Sequence, residues 1–307
     1  MSRHLNIAVM LGGPSAEREV SLASGRAVIE ALESLGHRVT AVDPKPGAWS
    51  LPSHVDAVFL ALHGTYGEDG TVQRELEALG VPYTGCGPEA SACAFDKVKS
   101  KWAFAERGIP TPRFEVLEDA DASFPASFTV PVVVKPARQG SSVGVEIIRS
   151  TDDWSQAFER ARSFDSPVLV EEFIEGREIT VGVIAGDVMP IVEVRPKSGY
   201  YDYHNKYTSG ATEYVCPAEF PAPLSEAIGE AALAALEAVG GGDYARIDFM
   251  VRGNEFFVLE VNTLPGMTGT SLLPKSAAAL GEAFPALCER LVGLALERSK
   301  RSQSPME

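Results

Sequence analysis

Short apolar runs alternate with helical periodicity through the first third of the chain. Residues 5–10 are largely apolar and end at Leu11-Gly12-Gly13-Pro14-Ser15. From residue 16 to about 35, Val20, Ala23, Ala27, Ala31 and Leu35 recur near helical spacing, and Gly36 closes the segment. Residues 38–42, 55–62 and 81–84 read as strands, with a helix-like stretch at 71–79. Strands alternating with helices predict a parallel α/β sheet, here a first domain ending near residue 94.

The pattern then changes. Residues 96–107 read as a helix stopped by Gly108 and Pro110, and residues 128–134 as a strand running into Lys135-Pro136. A Gly/Ser loop at 139–144 leads to a strand at 145–148. Ser150 followed by Asp152 and Asp153 marks the start of a helix over 154–164. Residues 168–173 form a strand, and 178–184 with 188–194 form a hairpin around Gly186-Asp187. Residues 195–212 are polar and Tyr-rich without a period, which suits a lid or binding loop. An Ala-rich helix at 224–239 stops at Gly240, and 283–299 is a closing helix.

Chemistry enters with the hairpin at 246–251 and 256–261, turned by Arg252-Gly253-Asn254. Glu260 and Asn262 alternate, so they share one strand face. A short turn brings Asp248 opposite Glu260 to within about one residue. Two carboxylates and an amide oxygen on one face suit a hard cation such as Mg²⁺, which commonly also binds substrate phosphates.

The formal net charge of −15 opposes nucleic-acid binding, and no block of Lys or Arg interrupts the body of the chain. Polyphosphate binding must therefore rely on isolated cations and metal. Cys86, Cys93, Cys216 and Cys288 form no C-x-x-C pair and lack a His cluster, so neither zinc nor a disulfide framework is expected. No run approaches the ~20 apolar residues of a membrane span. No signal-peptide core is evident, and a reducing cytoplasm fits best.

Several isolated residues admit two readings each. Lys135, at the end of an apolar strand, is either a snorkelling lysine or a charge aimed at phosphate beside Gly140-Ser141-Ser142. Lys97 upstream favours the second. The strand ending at Phe173, with Ile174 after it, suits an adenine hinge flanked by Glu171 and Glu178. Those acids are otherwise solvated. Glu17 follows Gly12-Gly13-Pro14-Ser15-Ala16, where it either favours the first helical turn or holds an ammonium group. His63 sits past a strand end, where it is either a hydrogen-bonded histidine at a strand terminus or a ligand contact at the usual position in open α/β sheets. Arg246, two residues before Asp248, balances carboxylates or stabilises developing anionic charge.

An ordered set of motifs resembles the D-alanine–D-alanine ligase family of the ATP-grasp superfamily, over essentially the whole chain. The set is GGPSAEREVS at 12–21, LHGTYGEDG at 62–70, PYTG at 82–85, Asp96-Lys97, KPARQGSSVG at 135–144, YDYHNKY at 201–207, Arg246-Ile247-Asp248 and residues 260–272. The resemblance implies an N-terminal parallel-sheet α/β domain at 1–94 followed by a two-domain ATP-grasp module of α+β type, its central part at 95–180 and its C-terminal part, with the lid at 195–212, at 181–307. It implies ATP as a substrate and two Mg²⁺ (or Mn²⁺) ions held by Asp248, Glu260 and Asn262. Lys97, Lys135 and Lys206 would contact phosphates. Glu171, Phe173 and Ile174 would meet adenine, and Glu178 ribose. Glu17 would take the ammonium of the first D-alanine, with His63 beside it. Ser271 and the Leu272 backbone would take the carboxylate of the second. Ser141 and Tyr207 would join Glu17 in pinning the lid, and Arg246 with the Gly266 amide would hold the oxyanion. Relatives are typically homodimers. Gln139 and Phe173 depart from the commoner Glu and Trp, which bears on nucleotide affinity only.

Three other readings of the same residues remain. A related ligase would use D-lactate or D-serine as second substrate; the tyrosine after Lys206 opposes the ester-forming version. A non-catalytic nucleotide-binding module would have lost a metal ligand or a phosphate lysine, and each of those positions is filled. A dinucleotide-dependent oxidoreductase needs a better glycine fingerprint than GGPSAE.

Overall fold

In the computed structural model, residues 4–119, 122–200, 208 and 210–303 are described. The first sheet is parallel, in the order β2 (Arg38–Val42), β1 (Asn6–Met10), β3 (Ala57–Leu60). Helix α1 (Arg18–Ser34) packs against it through Ser21, Ser24, Gly25, Val28, Ala31 and Leu32. This is not the expected Val20–Ala23–Ala27 stripe. The Leu11 side chain lies where a Cβ on Gly25 would be, so the small residues face inward. Val20 and Ala23 border a cleft instead. The expected strand at 81–84 is reduced to one parallel bridge between Val58 and Tyr83. Helices α2 (Thr71–Ala78), α3 (Pro88–Phe95) and α4 (Lys97–Glu106) follow. Asp96 caps α4, its side chain accepting hydrogen bonds from the Val98 and Lys99 amides.

A second, antiparallel sheet has the order β4 (Phe114–Leu117), β7 (Val168–Glu172), β5 (Val132–Pro136), β6 (Glu146–Ile148). Val132, Val134, Val168 and Val170 form a core with Trp154, Ala157, Phe158 and Ala161 of α5 (Trp154–Phe164). Each fully buried Val or Phe side chain contributes about 1.5–3 kcal/mol through burial. Strand alternation then turns Lys135 and Glu171 to the opposite face.

The third sheet runs β11 (Thr212–Val215), β10 (Val192–Pro196), β8 (Arg177–Ile184), β12 (Tyr244–Arg252), β13 (Glu255–Asn262), with β9 (Asp187–Val188) also on β8. The expected strand at 188–194 is split because Pro190 has no N–H to give the ladder. The expected irregular stretch 195–212 is strand at both ends: β10 reaches Pro196, β11 begins at Thr212, and the Lys197 amide bonds the Ala211 carbonyl at 2.9 Å. Ile179, Val181, Val183, Ile247, Phe249, Val251, Val258 and Val261 pack with α6 (Ala222–Ala238). The other face carries Thr180, Arg246 and Asp248 beside Val192 and Val194, which pack with Leu272. Helix α7 (Leu272–Ala279) precedes α8 (Phe284–Gln303). Leu287, Cys288, Leu291 and Val292 of α8 share a core with Ile7, Val28 and Phe59, so the last helix locks onto the first sheet. Among the described residues no helix is long and apolar enough to cross a membrane.

The β12–β13 hairpin contains one extra residue. Phe249 pairs with Val258 but Asp248 pairs with Glu260, so Leu259 is left as a bulge. Without it, Asp248 would face Leu259, and Glu260 would turn to the opposite face.

Candidate active site

A cleft of about 560 Å³ gathers Glu17, His63, Ser141, Arg246, Glu260, Asn262, Gly266, Ser271 and Leu272. These residues come from the first sheet's loops, the Gly/Ser loop after β5, and the strands and loop around β13. Close backbone approach makes the meeting possible. Glu17 is almost buried, and Ser141 Oγ donates a very short hydrogen bond to its Oε1. On either side stands a glycine: a Cβ on Gly64 would lie 2.7 Å, and one on Gly140 2.5 Å, from Glu17 Oε2. Ser141 and Ser142 have φ of +49° and +59°, which folds the loop over Glu17. Gly12 and Gly13 serve the protein itself: their amides donate to Ser21 Oγ (2.8 Å) and Asp43 Oδ1 (2.9 Å).

Arg246 holds Asp248 with a bidentate pair, Nε to Oδ1 at 2.9 Å and Nη2 to Oδ2 at 2.8 Å. Thr180 Oγ1 donates to Asp248 Oδ1 at 2.6 Å, and Asn262 Nδ2 to Oδ2 at 3.1 Å. Glu260 Oε2 lies 3.3 Å from Lys97 Nζ, which also donates to the Gln139 carbonyl at 2.7 Å. The pairing thus brings two carboxylates and an amide, from Asp248, Glu260 and Asn262, to one sheet face, and oxygen donors of this kind suit a hard cation. Among the described residues no group of three or more His, Cys, Asp or Glu side chains is placed to hold a metal ion.

The hinge residues lie away from this cleft. Glu171 is buried between Lys101 Nζ at 2.9 Å and Lys135 Nζ at 2.8 Å. Burial alone would push its carboxyl up; the two ammonium groups outweigh that and hold it below the ordinary value. Burial pulls the fully enclosed Lys101 down to about 8 despite Glu171. Ile174 is buried, and Phe173 packs edge-on to Tyr200 with centroids 5.7 Å apart. Glu178 pairs with Val194 and Met250 in the ladder, on the same face of β8 as Thr180. Lys206 and Tyr207 lie outside the described residues.

The family model described as "D-ala D-ala ligase C-terminus" matches residues 103–293, and "D-ala D-ala ligase N-terminus" matches residues 45–86. A D-alanine–D-alanine ligase from Syntrophotalea carbinolica is 48% identical over 288 residues, covering 93% of this chain and 94% of that protein. The chain belongs to the D-alanine–D-alanine ligase family. Another member, from Methylacidiphilum infernorum, is 43% identical over 98% of both chains. The crystal structure of the Bacillus anthracis D-alanine–D-alanine ligase complexed with ATP superposes with a TM-score of 0.84 at 34% identity, covering 97% of this chain and 99% of that one.

Within this family fold, four residues of the site escape sequence reading. Lys101 lies one helical turn after Lys97, so the i, i+4 pair forms a polar stripe on the buried face of α4. That spacing was available as a signal. Thr111 was not legible: its Oγ1 receives Lys101 Nζ at 2.7 Å and donates to the Val258 carbonyl at 2.8 Å, tying α4 and the loop before β4 to β13 of the third sheet. Thr180 became visible only through its register with Asp248. Ser24 looked like an ordinary small helical residue.

Proposed function

We propose that this chain is an ATP-dependent ligase that joins two D-alanine molecules into D-alanyl-D-alanine, a building block of peptidoglycan. The observation that carries the reading is the single cleft shared by Glu17–Ser141, Arg246–Asp248 and the Gly266–Ser271 loop. A carboxylate needs a leaving group before an amine can displace it. The first D-alanine carboxylate oxygen attacks the γ-phosphorus, the bond to the β,γ-bridging oxygen breaks, and ADP departs. The second D-alanine's amine then attacks the acyl carbon, and phosphate leaves.

In this reading Glu17 binds the first ammonium, with His63 beside it. Lys97, Lys135 and Lys206 bind phosphates. Glu171, Phe173, Ile174 and Glu178 recognise the nucleoside. Ser271 and the Leu272 amide, at the open start of α7, bind the second carboxylate. Arg246 and the Gly266 amide stabilise the tetrahedral oxyanion. Asp248, Glu260 and Asn262 would hold two Mg²⁺ or Mn²⁺ ions, which when bound offset phosphate charge. Tyr207 would join Glu17 and Ser141 as the segment at 195–212 closes and excludes water from the acyl phosphate. The three-part division near residues 94 and 180, a homodimer, and action in the cytoplasm belong to the same proposal.

An ADP-release assay across D- and L-amino acids and D-lactate, with product analysis, tests it. Turnover with D-alanine alone, yielding the dipeptide, is expected. Phosphate release with D-lactate plus D-alanine but none with D-alanine alone would overturn it.

A further inference from the structure

The side chain of Ser24 is fully buried on the inner face of α1, and the reaction as described makes no use of it. Its oxygen meets both halves of the active site. The Met267 amide donates to Ser24 Oγ at 3.2 Å, across 243 residues of sequence. His63 Nε2 lies 3.1 Å from the same oxygen. Met267 follows Gly266 in the loop assigned to the oxyanion, and His63 lines the cleft beside Glu17.

We propose that Ser24 is a positioning residue whose hydroxyl fixes the His63 tautomer and the Gly266–Met267 backbone together, coupling the first-substrate side to the oxyanion loop. The argument is one of donors and acceptors. A hydroxyl offers one proton and two lone pairs. The Met267 N–H occupies a lone pair. Among the described residues the acceptor available to the Ser24 proton is His63 Nε2. Nε2 is then unprotonated, and the ring proton sits on Nδ1. That nitrogen is 4.0 Å from Glu68 Oε1, a residue that also borders the cleft. Ser24 thereby turns the His63 donor toward the first substrate. The neighbouring contacts hold the ring's backbone still: Ser15 Oγ donates to the His63 carbonyl at 2.6 Å, and the Gly64 amide donates to Glu68 Oε2 at 2.9 Å.

The functional half of this inference rests on the proposed ligase reading; the tautomer half does not. The test uses ¹⁵N-histidine NMR of the whole protein, wild type and Ser24→Ala, beside steady-state kinetics. Wild-type His63 should show a protonated Nδ1 and a bare Nε2. Ser24→Ala should shift this tautomer balance and lower kcat about tenfold, as expected for a misplaced reacting group, with the KM for ATP unchanged. A wild-type His63 protonated at Nε2 overturns the proposal even if the variant does not fold. So does a Ser24→Ala enzyme with wild-type kcat and KM for D-alanine. Failure of the ligase reading is distinguishable, because the wild type would then make no dipeptide at all.

Discussion

Asp248 faces Glu260 across the β12–β13 hairpin because Leu259 has no partner in the ladder. One inserted residue brings onto one face a set of two carboxylates that would otherwise lie on opposite faces. The set is otherwise balanced by protein cations: Arg246 on Asp248 and Lys97 near Glu260. Glu260→Gln keeps the shape of the strand and removes the charge. Turnover should fall at least ~100-fold, the cost of losing a preorganised charge in an active site. The thermal midpoint should move by no more than about 2 °C, since Glu260 is only partly buried. An ADP-release assay at saturating Mg²⁺ beside a melting curve checks both. Wild-type-like turnover would remove Glu260 from the metal site.

The hairpin was legible because alternation and a Gly-Asn turn are local signals, and they placed Asp248 opposite Glu260 to within about one residue. The bulge was not: Val258 and Val261 are the buried residues of β13, a spacing of three that makes sense only once the partner strand is known. The parallel sheet was likewise readable, whereas α3, β4 and α7 had no counterpart in the pattern. Helix α4 was found, but two lysines on its buried face carry no apolar periodicity. Its role depends on Glu171, contributed by a strand more than sixty residues later. Ser24 sits at helical spacing within the Val20–Ala27–Ala31 stripe, but a small polar residue there gives no sign of partners on two distant loops. In each case the missing information was a long-range contact.

Gly140 presses on Glu17, and this gives a specific prediction for the first substrate. A Cβ at 140 would stand 2.5 Å from Glu17 Oε2, so Gly140→Ala must displace the carboxylate. Misplacement by about 1 Å can cost up to ~10²-fold in rate. The first-site KM for D-alanine should rise roughly 10-fold or more while the KM for ATP changes little. Gly242→Ala, where nothing lies within 4 Å, is the matched control and should change neither. Equal constants in Gly140→Ala and wild type would remove Glu17 from ammonium recognition.

Lys101 and Glu171 are both sealed from solvent, and Lys135 shares the same carboxylate. Lys101→Met fits the apolar stem but leaves Glu171 with one cation and Thr111 without its donor. Breaking a buried pair typically costs about 3–5 kcal/mol; with Lys135 still present, the lower end, about 3 kcal/mol, is expected. Urea unfolding reads this directly. The KM for ATP should rise as Lys135 is drawn more tightly to Glu171 and away from phosphate. A stability loss with an unchanged KM for ATP would mean that the pair is structural only.

Glu193 anchors the root of the segment at 195–212, and its charge sets a pH dependence of stability. Arg177 donates to it through Nε (2.8 Å) and Nη2 (2.7 Å), and Arg195 through Nη2 (2.7 Å). Hydrogen bonding by Arg177, helped by Arg195, lowers the carboxyl to about 2 from an ordinary 4.5. As pH falls, the unfolded chain therefore takes up this proton first. The stabilisation is complete above about pH 4.5 and is lost between about 4.5 and 2. Both guanidinium groups are partly solvent-exposed, so screening reduces the effect to about 2 kcal/mol. Glu193→Gln should be less stable than wild type by that amount at pH 6, and the gap should close as pH approaches 2, where the protonated acid resembles the amide. Denaturant titrations of both proteins across this range check it. A gap that stays constant with pH would show that shape at residue 193, and not charge, holds this root in place.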